Sequence, residues 1–410
     1  MKLLYNGLYL LLVLICLLYL IWIQKGSAIG WQLKPVTDAN LPKVSIIIPT
    51  LNEERNIKNC LESLKNLDYP KEKIEIIVSD GGSKDATVQI ANEYADVVIV
   101  DSEVPRGWLG KSYGCYLGYK ESKGDILLFT DADTFHEERS LKINIFQLLG
   151  SESTLVSMLP YQKAKKWYEY MIGYYFFLSY FVGGPMKAII DKNNKRAYMA
   201  IGQYLLFTRK GYESIGGHEA VKGSIIEDIA LAKRVKEFGQ KIYFLEPNKL
   251  VSTRMYPDSF LSFYKGFRKV IFEGLLNFPV WRIFFIVLWI VYSFISAYFV
   301  VQTIVDNPAW TIDLLFNLGL YFGFSASYFS YWHKRGDGSL FFYIFHPLGM
   351  TITVFIIITS IIQGILGKPI QWKNRQYINT QKGNQNKNGI EQNEESINED
   401  IDEQVVVVLK

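Results

Sequence analysis

Two carboxylates, Asp131 and Asp133, stand directly after the apolar run Ile126–Thr130. A hard divalent cation such as Mg²⁺ or Mn²⁺ prefers oxygen ligands, keeps several waters and bridges substrate phosphates. Two acidic side chains at the end of an apolar strand therefore predict a metal site, with Asp133 as the main ligand. The alternative is a pair of solvated turn carboxylates, which the strand context makes the weaker interpretation.

Further polar residues follow other predicted strands at the same kind of position. Asn52 and Glu53 come after the apolar run 44–48, and Asp80 follows the run 74–79. Glu227 and Asp228 open a later predicted helix. Ligands of parallel sheets bind at the carboxyl ends of the strands. These groups therefore predict a nucleotide-sugar site at one edge of a sheet.

The elements that must position these residues alternate between strand and helix across residues 42–279. Short apolar strands separated by helices predict a mostly parallel sheet covered on both faces, which is a Rossmann-like α/β fold. The first predicted helix carries Ile57, Leu61 and Leu64 on one face.

The composition indicates a globular unit joined to membrane elements, because 410 residues exceed one average domain and 49% of them are hydrophobic. The net charge of +4 is too small to indicate nucleic-acid binding. Cys16, Cys60 and Cys115 have no metal-site spacing, so they are interpreted as reduced packing residues.

Residues 3–23 are nearly all apolar, which is long enough to span a bilayer core. More positive charge follows this stretch, at Lys25, Lys34 and Lys43, than precedes it, and no cleavage-site pattern is present. The sequence favours a retained anchor over residues 1–25 rather than a signal peptide, with its C-terminal side in the cytoplasm.

Three more apolar stretches, 280–305, 312–332 and 342–366, predict a C-terminal membrane region over residues 280–366. Lys334 and Arg335 place the second connection in the cytoplasm. The last stretch should then leave the cytoplasm, yet Lys368 and Lys373 follow it. Either these cations stand outside or the stretch is partly re-entrant. A basic and aromatic segment at 367–379 follows, and the polar residues 380–410 predict a disordered tail.

Residues 167–190 are rich in aromatic side chains but are interrupted by Gly183, Gly184 and Pro185. Two interpretations remain open: an amphipathic segment in the membrane interface, or a buried core helix. In the first case we expect Tyr174 and Phe177 to contact a long apolar acceptor.

Six motifs occur in an order that is found in a known family. They are Pro49-x-x-Asn52-Glu53-Glu54, Asp80-Gly81-Gly82-Ser83-x-Asp85, Gly107-Trp108-x-Gly110-Lys111, Asp131-x-Asp133, Gly216-Gly217-His218 and Glu227-Asp228. In these motifs the chain resembles the family-2 inverting glycosyltransferases of the GT-A fold, over roughly residues 1–377. The membrane layout and the closing motif Trp372-Lys373-x-Arg375-Gln376-Tyr377 are most similar to the carotenoid-acid branch of that family.

The resemblance implies roles on the donor side of the site. The implied donor-binding residues are Pro49, Asn52, Glu53, Asp80, Asp85, Lys111 and Asp131, and the implied metal ligands are Asp133 and Asp131. Some of these residues also have a purely structural interpretation. Asn52 could cap the next helix, and Asp80 could stabilise an Asp-Gly turn. Gly110, Gly114 and Gly118 could simply permit close helix packing.

On the acceptor side, the resemblance makes Asp228 the general base that takes a proton from the acceptor oxygen. Asp228 and Glu227 are the predicted catalytic pair, although Ser224-x-x-Glu227 has the pattern of a capping box, which makes Glu227 the more structural of the two. A carboxylic-acid acceptor is already ionised near neutral pH. With such an acceptor, Asp228 would position the sugar or the acceptor instead. His218 is interpreted as a turn residue.

The predicted function is a multi-pass cell-membrane glycosyltransferase whose catalytic domain is cytoplasmic. It would move a hexose, glucose first, from a UDP-sugar to a lipid or carotenoid acceptor with inversion, using Mg²⁺ or Mn²⁺. A processive exopolysaccharide synthase is the alternative enzyme, although its Gln-x-x-Arg-Trp motif is absent. The non-enzymatic alternative is a membrane transporter or scaffold, for which buried ionisable residues along a transport path are missing.

Overall fold

The computed structural model describes residues 2–24, 41–245, 249–306, 311–366, 370–372 and 375–377. Lys25, Lys34, Lys368, Lys373 and the predicted tail at 380–410 lie outside the described residues. The strands of the first 253 residues are β1 (Val44–Thr50), β2 (Ile74–Asp80), β3 (Val97–Val100), β4 (Ile126–Thr130), β5 (Thr134–His136), β6 (Leu155–Met158), β7 (Tyr161–Gln162), β8 (Tyr204–Thr208), β9 (Ile242–Leu245) and β10 (Val251–Thr253).

The helices up to residue 276 lie before, between and after these strands. They are α1 (Lys2–Gln24), α2 (Ile57–Lys65), α3 (Thr87–Tyr94), α4 (Gly110–Glu121), α5 (Ser140–Gly150), α6 (Ile172–Gly183), α7 (Met186–Ile190), α8 (Arg209–Ser214), α9 (Glu227–Glu237) and α10 (Phe260–Leu276).

One mostly parallel sheet carries the predicted site. Its described strands run in the order β3-β2-β1-β4-β8-β6-β9. The first four are parallel to one another, β8 lies antiparallel between β4 and β6, and β9 is parallel to β6. The prediction of an α/β fold with a mostly parallel sheet is confirmed. The residues of β4 are all buried, as expected for strands that helices cover on both faces.

A small second sheet, in the order β5-β10-β7, stands beside the end of β4. Thr253 of β10 pairs with Thr134 of β5, the residue after Asp133. This pairing brings the end of β10 against the predicted metal motif.

The described elements after residue 279 are α11 (Val280–Asp306), α12 (Ile312–Trp332), α13 (Leu340–Ile344), α14 (His346–Ile365), β11 (Ile370–Trp372) and β12 (Arg375–Tyr377). Among the described helices, α11 and α14 are long and apolar enough to cross a membrane. The predicted stretch 312–332 forms α12 but is not one of these two. The apolar part of α1, Gly7–Trp22, is shorter, so the predicted N-terminal anchor has weaker support. The ring contacts of Tyr9 with Phe299 and Tyr19 with Phe285 show that α1 and α11 run antiparallel.

The predicted interfacial stretch 167–190 contains α6 and α7. Tyr174 and Phe177 on α6 are fully buried. Tyr174 stacks on Tyr328 of α12 and donates a hydrogen bond to a carbonyl in α13, and Phe177 packs edge-on against Trp289 of α11. These are the contacts of a core helix, so the expectation that Tyr174 and Phe177 contact an acceptor is wrong.

The loop between α12 and α13 is attached to the sheet half of the protein. The Tyr161 hydroxyl donates to Asp337 Oδ1 at 3.0 Å, and the Ala164 amide donates to Asp337 Oδ2 at 2.9 Å. The backbone amide of Gln162 donates to the carbonyl of Arg335 at 2.9 Å. The Lys334–Arg335 connection therefore lies on the same side of the helix bundle as the predicted active site.

Helix α14 begins inside the bundle and ends near that same side. At its start, His346 Nδ1 lies 2.7 Å from Ser293 Oγ, about midway along α11. Further on, Phe355 stacks on Tyr264 of α10, and the Phe272 amide of α10 donates to Ser360 Oγ at 3.0 Å. The segment from α13 to the end of α14 thus enters the bundle and returns toward α10.

Candidate active site

The ends of β1 and β2 are adjacent, since Thr50 pairs with Asp80 in the parallel register. Asp80 is buried, and its Oδ2 accepts hydrogen bonds from the hydroxyls of Thr50 at 2.8 Å and Ser83 at 2.6 Å. Its Oδ1 accepts from the amides of Gly82 and Ser83 at 2.9 and 2.6 Å. Asp80 therefore shapes the loop that follows β2, as the turn interpretation expects.

Asn52 joins the loop after β1 to the loop after β2. It adopts φ = 53°, a left-handed conformation that Asn tolerates better than most residues. The backbone N–H of Asn52 donates to Ser83 Oγ at 2.7 Å, and its side-chain Oδ1 accepts from the backbone N–H of Lys84 at 2.9 Å. Helix α2 begins at Ile57 with Asn56 in the capping position, so the interpretation of Asn52 as a helix cap is wrong.

Glu53 and Asp85 continue this link between the two loops. The Glu53 amide donates to Thr87 Oγ1 at 2.7 Å, and the Glu54 amide donates to Asp85 Oδ2 at 3.2 Å. Burial raises the pKa of Asp85, but hydrogen bonds from Thr87 and Glu54 together hold it below its ordinary value. Asp85 thus fixes the start of α3 and the donor loops as one unit.

Lys111 connects the metal motif with the acidic pair of α9. Its Nζ lies 2.8 Å from Asp131 Oδ1 and 3.1 Å from Glu227 Oε1. Helix α4 approaches β1 closely enough for this reach, because a Cβ at Gly118 would lie 2.5 Å from Ile47 Cγ2. The packing interpretation of this glycine-rich helix is confirmed, and its first turn also places the Lys111 ammonium between two carboxylates. The role of Lys111 in donor binding stays a prediction.

Asp133 has the features of a cation ligand. Its Oδ1 is buried without a hydrogen-bond partner among the described residues, while Thr253 hydrogen-bonds the carboxyl group. Burial, followed by the charges of Asp131 and Glu53, raises the pKa of Asp133 to about 7. A nearby positive charge would relieve this repulsion.

The donor set therefore fits a hard divalent cation held by Asp131 and Asp133, with phosphate and water oxygens completing the coordination. Among the described residues, no group of three His, Cys, Asp or Glu side chains could hold a metal by itself. Such a cation would depend on the substrate phosphates for part of its shell.

Glu227 and Asp228 form the first turn of α9, and both side chains face the site. Helix α9 begins at Glu227, and the Ser224 hydroxyl donates to Glu273 of α10 at 2.9 Å instead of capping α9. The capping-box interpretation of Glu227 is therefore wrong. Although burial raises the pKa of Glu227, the Lys111 ammonium holds it below its ordinary value.

Asp228 is held in place by backbone amides. Its Oδ2 accepts from Gly202 at 2.7 Å and its Oδ1 from Ile229 at 2.8 Å. Burial, followed by the charge of Glu227, raises the pKa of Asp228 to about 7. A carboxyl group that titrates near neutral pH is suited to accepting and releasing a proton.

Gly202 is a site residue that the sequence analysis missed. A Cβ at this position would lie 2.9 Å from Lys111 Nζ and 3.2 Å from Glu227 Oε1, so a side chain would displace the ion pair. A glycine two residues before an apolar strand gave no signal strong enough to single it out.

His218 lies behind the site rather than in it. It is buried, its Nδ1 lies 2.8 Å from the Tyr212 hydroxyl, and its ring packs against Phe129. Burial lowers the pKa of His218 to about 4, so it is neutral at physiological pH. The turn interpretation of His218 is the one its contacts support.

Comparisons with known proteins agree with this arrangement. Residues 45–216 match the model of glycosyl transferase family 2. The chain is 30% identical over 352 residues to 4,4'-diaponeurosporenoate glycosyltransferase from Staphylococcus aureus (strain USA300), which covers 84% of this chain and 91% of that protein. The chain therefore belongs to glycosyl transferase family 2.

Two solved structures are more distant. A mannosyltransferase from Pyrobaculum calidifontis in complex with GDP-Man and Mn²⁺ is 16% identical, with a TM-score of 0.48 and coverage of 88% of this chain and 96% of that one. Glucosyl-3-phosphoglycerate synthase from Mycobacterium tuberculosis, in complex with Mn²⁺, UDP and glucosyl-3-phosphoglycerate, is 20% identical, with a TM-score of 0.40 and coverage of 59% of this chain and 85% of that one.

Proposed function

We propose that this chain is a membrane-bound, inverting enzyme that moves a hexose from a UDP-sugar to a carotenoid acid. Glucose is our first candidate for the hexose. The observation that carries the proposal is the double ion pair of Lys111 with Asp131 and Glu227, which joins the predicted metal motif and the acidic pair in one site. The name of the relative that is 30% identical supports the choice of acceptor.

In the proposed reaction, the acceptor oxygen attacks the anomeric carbon as the bond to the nucleoside diphosphate breaks. One such displacement inverts the configuration at that carbon. A divalent cation held by Asp131 and Asp133 would act as a Lewis acid toward the leaving diphosphate when bound. Lys111 holds the Asp131 and Glu227 carboxylates in fixed positions, and Asp228 orients the acceptor and takes its proton where it has one.

We further propose that the protein crosses the membrane through α1, α11 and α12 and that α13 and α14 form a re-entrant pair. The attachment of Asp337 to Tyr161 and the return of α14 to α10 support this path. It leaves the end of α14 on the cytoplasmic side, as the positive charge of Lys368 and Lys373 in the sequence favours. Of the two alternatives for the stretch 342–366, this is the re-entrant one.

The function is tested with membranes that contain the protein, radiolabelled UDP-glucose, Mg²⁺ and 4,4'-diaponeurosporenoic acid. We expect label in the lipid extract as a glucosyl ester. Mild alkali should cleave it, because base hydrolyses an ester but not a glycoside. A labelled polymer would indicate a processive synthase, and an unlabelled extract would contradict transfer to this acid.

The metal role is tested by Asp133→Asn, which should reduce transfer by about 100-fold or more because it removes an anionic ligand. Expression and membrane insertion should match those of the wild-type protein. Glu138→Gln, at an exposed position nearby, is the control. Undiminished transfer by the wild-type protein in excess chelator would contradict the metal role.

A further inference from the structure

One face of α10 is directed at the active site. The α10 backbone at Gly266 packs so closely on Tyr256 that a Cβ there would overlap the Tyr256 hydroxyl. Seven residues further along α10, Glu273 accepts hydrogen bonds from Ser224 Oγ at 2.9 Å and from the Ile225 amide at 3.2 Å. Ser224 and Ile225 lie just before α9. Lys269 stands between them on the same face, three residues after Gly266 and four before Glu273. The charges of Glu227, Asp131 and Asp228 act on its ammonium, which therefore lies beside the acidic pair.

The carboxyl groups around this space outnumber the cations paired with them, so an anionic ligand would need a second cation there. Asp131, Glu227 and Asp228 are three carboxyl groups, and Lys111 is already paired with two of them. An anion that entered beside Asp228 would meet a net negative field. Burial lowers the pKa of Lys269 to about 8, and the charge of Glu227 opposes this shift, so Lys269 remains largely protonated at neutral pH.

The same helix reaches the apolar part of the protein. At its first residue, Phe260 stacks on Trp167 at a centroid distance of 5.5 Å. Trp167 lines a cavity of about 340 Å³ whose walls also include Tyr170, Leu348 and Ile352 and are almost wholly apolar. From Phe260 to Lys269, the helix rises about 13 Å. Helix α10 thus begins next to a residue that lines this apolar cavity and, about 13 Å further on, carries Lys269 on its opposite face, toward the site.

We propose that Lys269 binds the carboxylate of an apolar acid acceptor and holds it beside Asp228, and thereby selects acids over alcohols. The inference rests on the proposed function. A carboxylate oxygen forms the bond to the anomeric carbon, while the bond to the diphosphate breaks and the nucleoside diphosphate leaves with the electron pair. The ionised acid has no proton to lose when it attacks. It therefore needs a cation to orient it and does not need a base.

The donor diphosphate is the other source of anionic oxygen near Lys269. The position of Lys269 favours the acceptor, because α10 approaches from the side of Glu227 and the membrane helices, whereas the loops after β1 and β2 approach from the sheet. The two sources predict different kinetic effects. Loss of an acceptor contact raises the KM for the acid alone, and loss of a donor contact raises the KM for UDP-glucose with every acceptor.

The test compares Lys269→Gln and Lys269→Arg with the wild-type full-length protein. The acceptors are 4,4'-diaponeurosporenoic acid and the alcohol made by reducing its carboxyl group. For Lys269→Gln we expect the ratio of kcat/KM for acid over alcohol to fall by about 10- to 100-fold, as for a lost charged hydrogen bond. The KM for UDP-glucose and its slow hydrolysis should not change, and Lys269→Arg should recover part of the ratio. Lys265→Gln, exposed one turn earlier, should behave as the wild-type protein does.

An unchanged acid-to-alcohol ratio in Lys269→Gln would overturn the inference, and so would a raised KM for UDP-glucose with both acceptors. Should Lys269→Gln melt below the wild-type protein, Lys269→Met, which keeps the apolar stem, is judged by the same ratio. Failure of the wild-type protein to glucosylate the acid would instead refute the proposed function itself.

Discussion

At the scale of single residues, one lysine separates the protonation states of the acidic groups. Lys111 holds the pKa of Glu227 below its ordinary value despite burial, whereas burial and the Glu227 charge raise the pKa of Asp228 to about 7. Adjacent residues on one helix turn therefore differ in charge near neutral pH. A fixed anion next to a titrating neighbour is an arrangement suited to proton transfer.

Replacement of Lys111 by Gln should lower transfer by on the order of 100-fold, because Asp131 and Glu227 would then repel each other and lose their fixed positions. The steady-state rate of labelled product measures this loss. Lys120→Gln, exposed at the end of the same helix, should retain activity. Equal rates for Lys111→Gln and Lys120→Gln would show that the ion pair has no part in the reaction.

The pH dependence of transfer should differ between acid and alcohol acceptors. Asp228 is protonated below its pKa of about 7, so transfer to an alcohol should rise with pH and level off above about 7. Transfer to a carboxylic acid, which is ionised at lower pH, should vary less. Initial rates between pH 5.5 and 8.5 measure both. A flat profile for the alcohol, or one that Asp228→Asn leaves unchanged, would argue against a base at this position.

The same shift has a consequence for stability. The pKa of Asp228 in the folded protein exceeds its ordinary value of 3.8, so the folded state binds more protons between that value and about 7. The contribution of Asp228 to the free energy of unfolding is therefore complete below 3.8 and is lost as the pH rises through about 7.

At the scale of elements, the sequence predicted those strands and helices whose positions depend on local patterns. The apolar runs located β1, β2 and β4, because strands covered on both faces must be apolar along their length. The cap of α9 could not be predicted in this way, since Ser224 bonds to Glu273, 49 residues away. The cap alternative for Asn52 is wrong for the same reason, because its partners, Ser83 and Lys84, belong to the loop after the next strand. The ion pair of Lys111 with Glu227 likewise depends on tertiary contacts between distant parts of the chain.

Close contact between α4 and β1 predicts that Gly118→Ala lowers the free energy of unfolding by about 1–3 kcal/mol, since the new Cβ would overlap Ile47 in the core. Gly274→Ala in α10 is the matched control, because nothing lies within 4 Å of its added Cβ. That change should leave stability equal or raise it by up to about 1 kcal/mol. Thermal unfolding in detergent measures both. A Gly118→Ala protein as stable as Gly274→Ala would contradict the contact.

At the scale of the whole molecule, the site and the membrane helices share structural elements. Helix α10 touches the loop before α9 through Glu273 and touches α14 through Phe272. Arg254, at the end of β10, forms an ion pair with the buried carboxylate of Glu169, which fixes the segment leading into α6. The position of α14 therefore determines where α10 presents its polar face to the site.

The proposed membrane path predicts the sides from which introduced cysteines can be labelled. Cys16, Cys60 and Cys115 are all buried, so the wild-type background should be low. Lys84, Asp306 and Leu366 are exposed and mark the donor loop, the end of α11 and the residue after α14. In intact cells an impermeant maleimide should label Asp306→Cys, because α11 ends outside, whereas Lys84→Cys and Leu366→Cys should react only after permeabilisation. Labelling of Leu366→Cys in intact cells would mean that α14 crosses the membrane, and labelling of Lys84→Cys there would place the site outside, away from cytoplasmic nucleotide sugars.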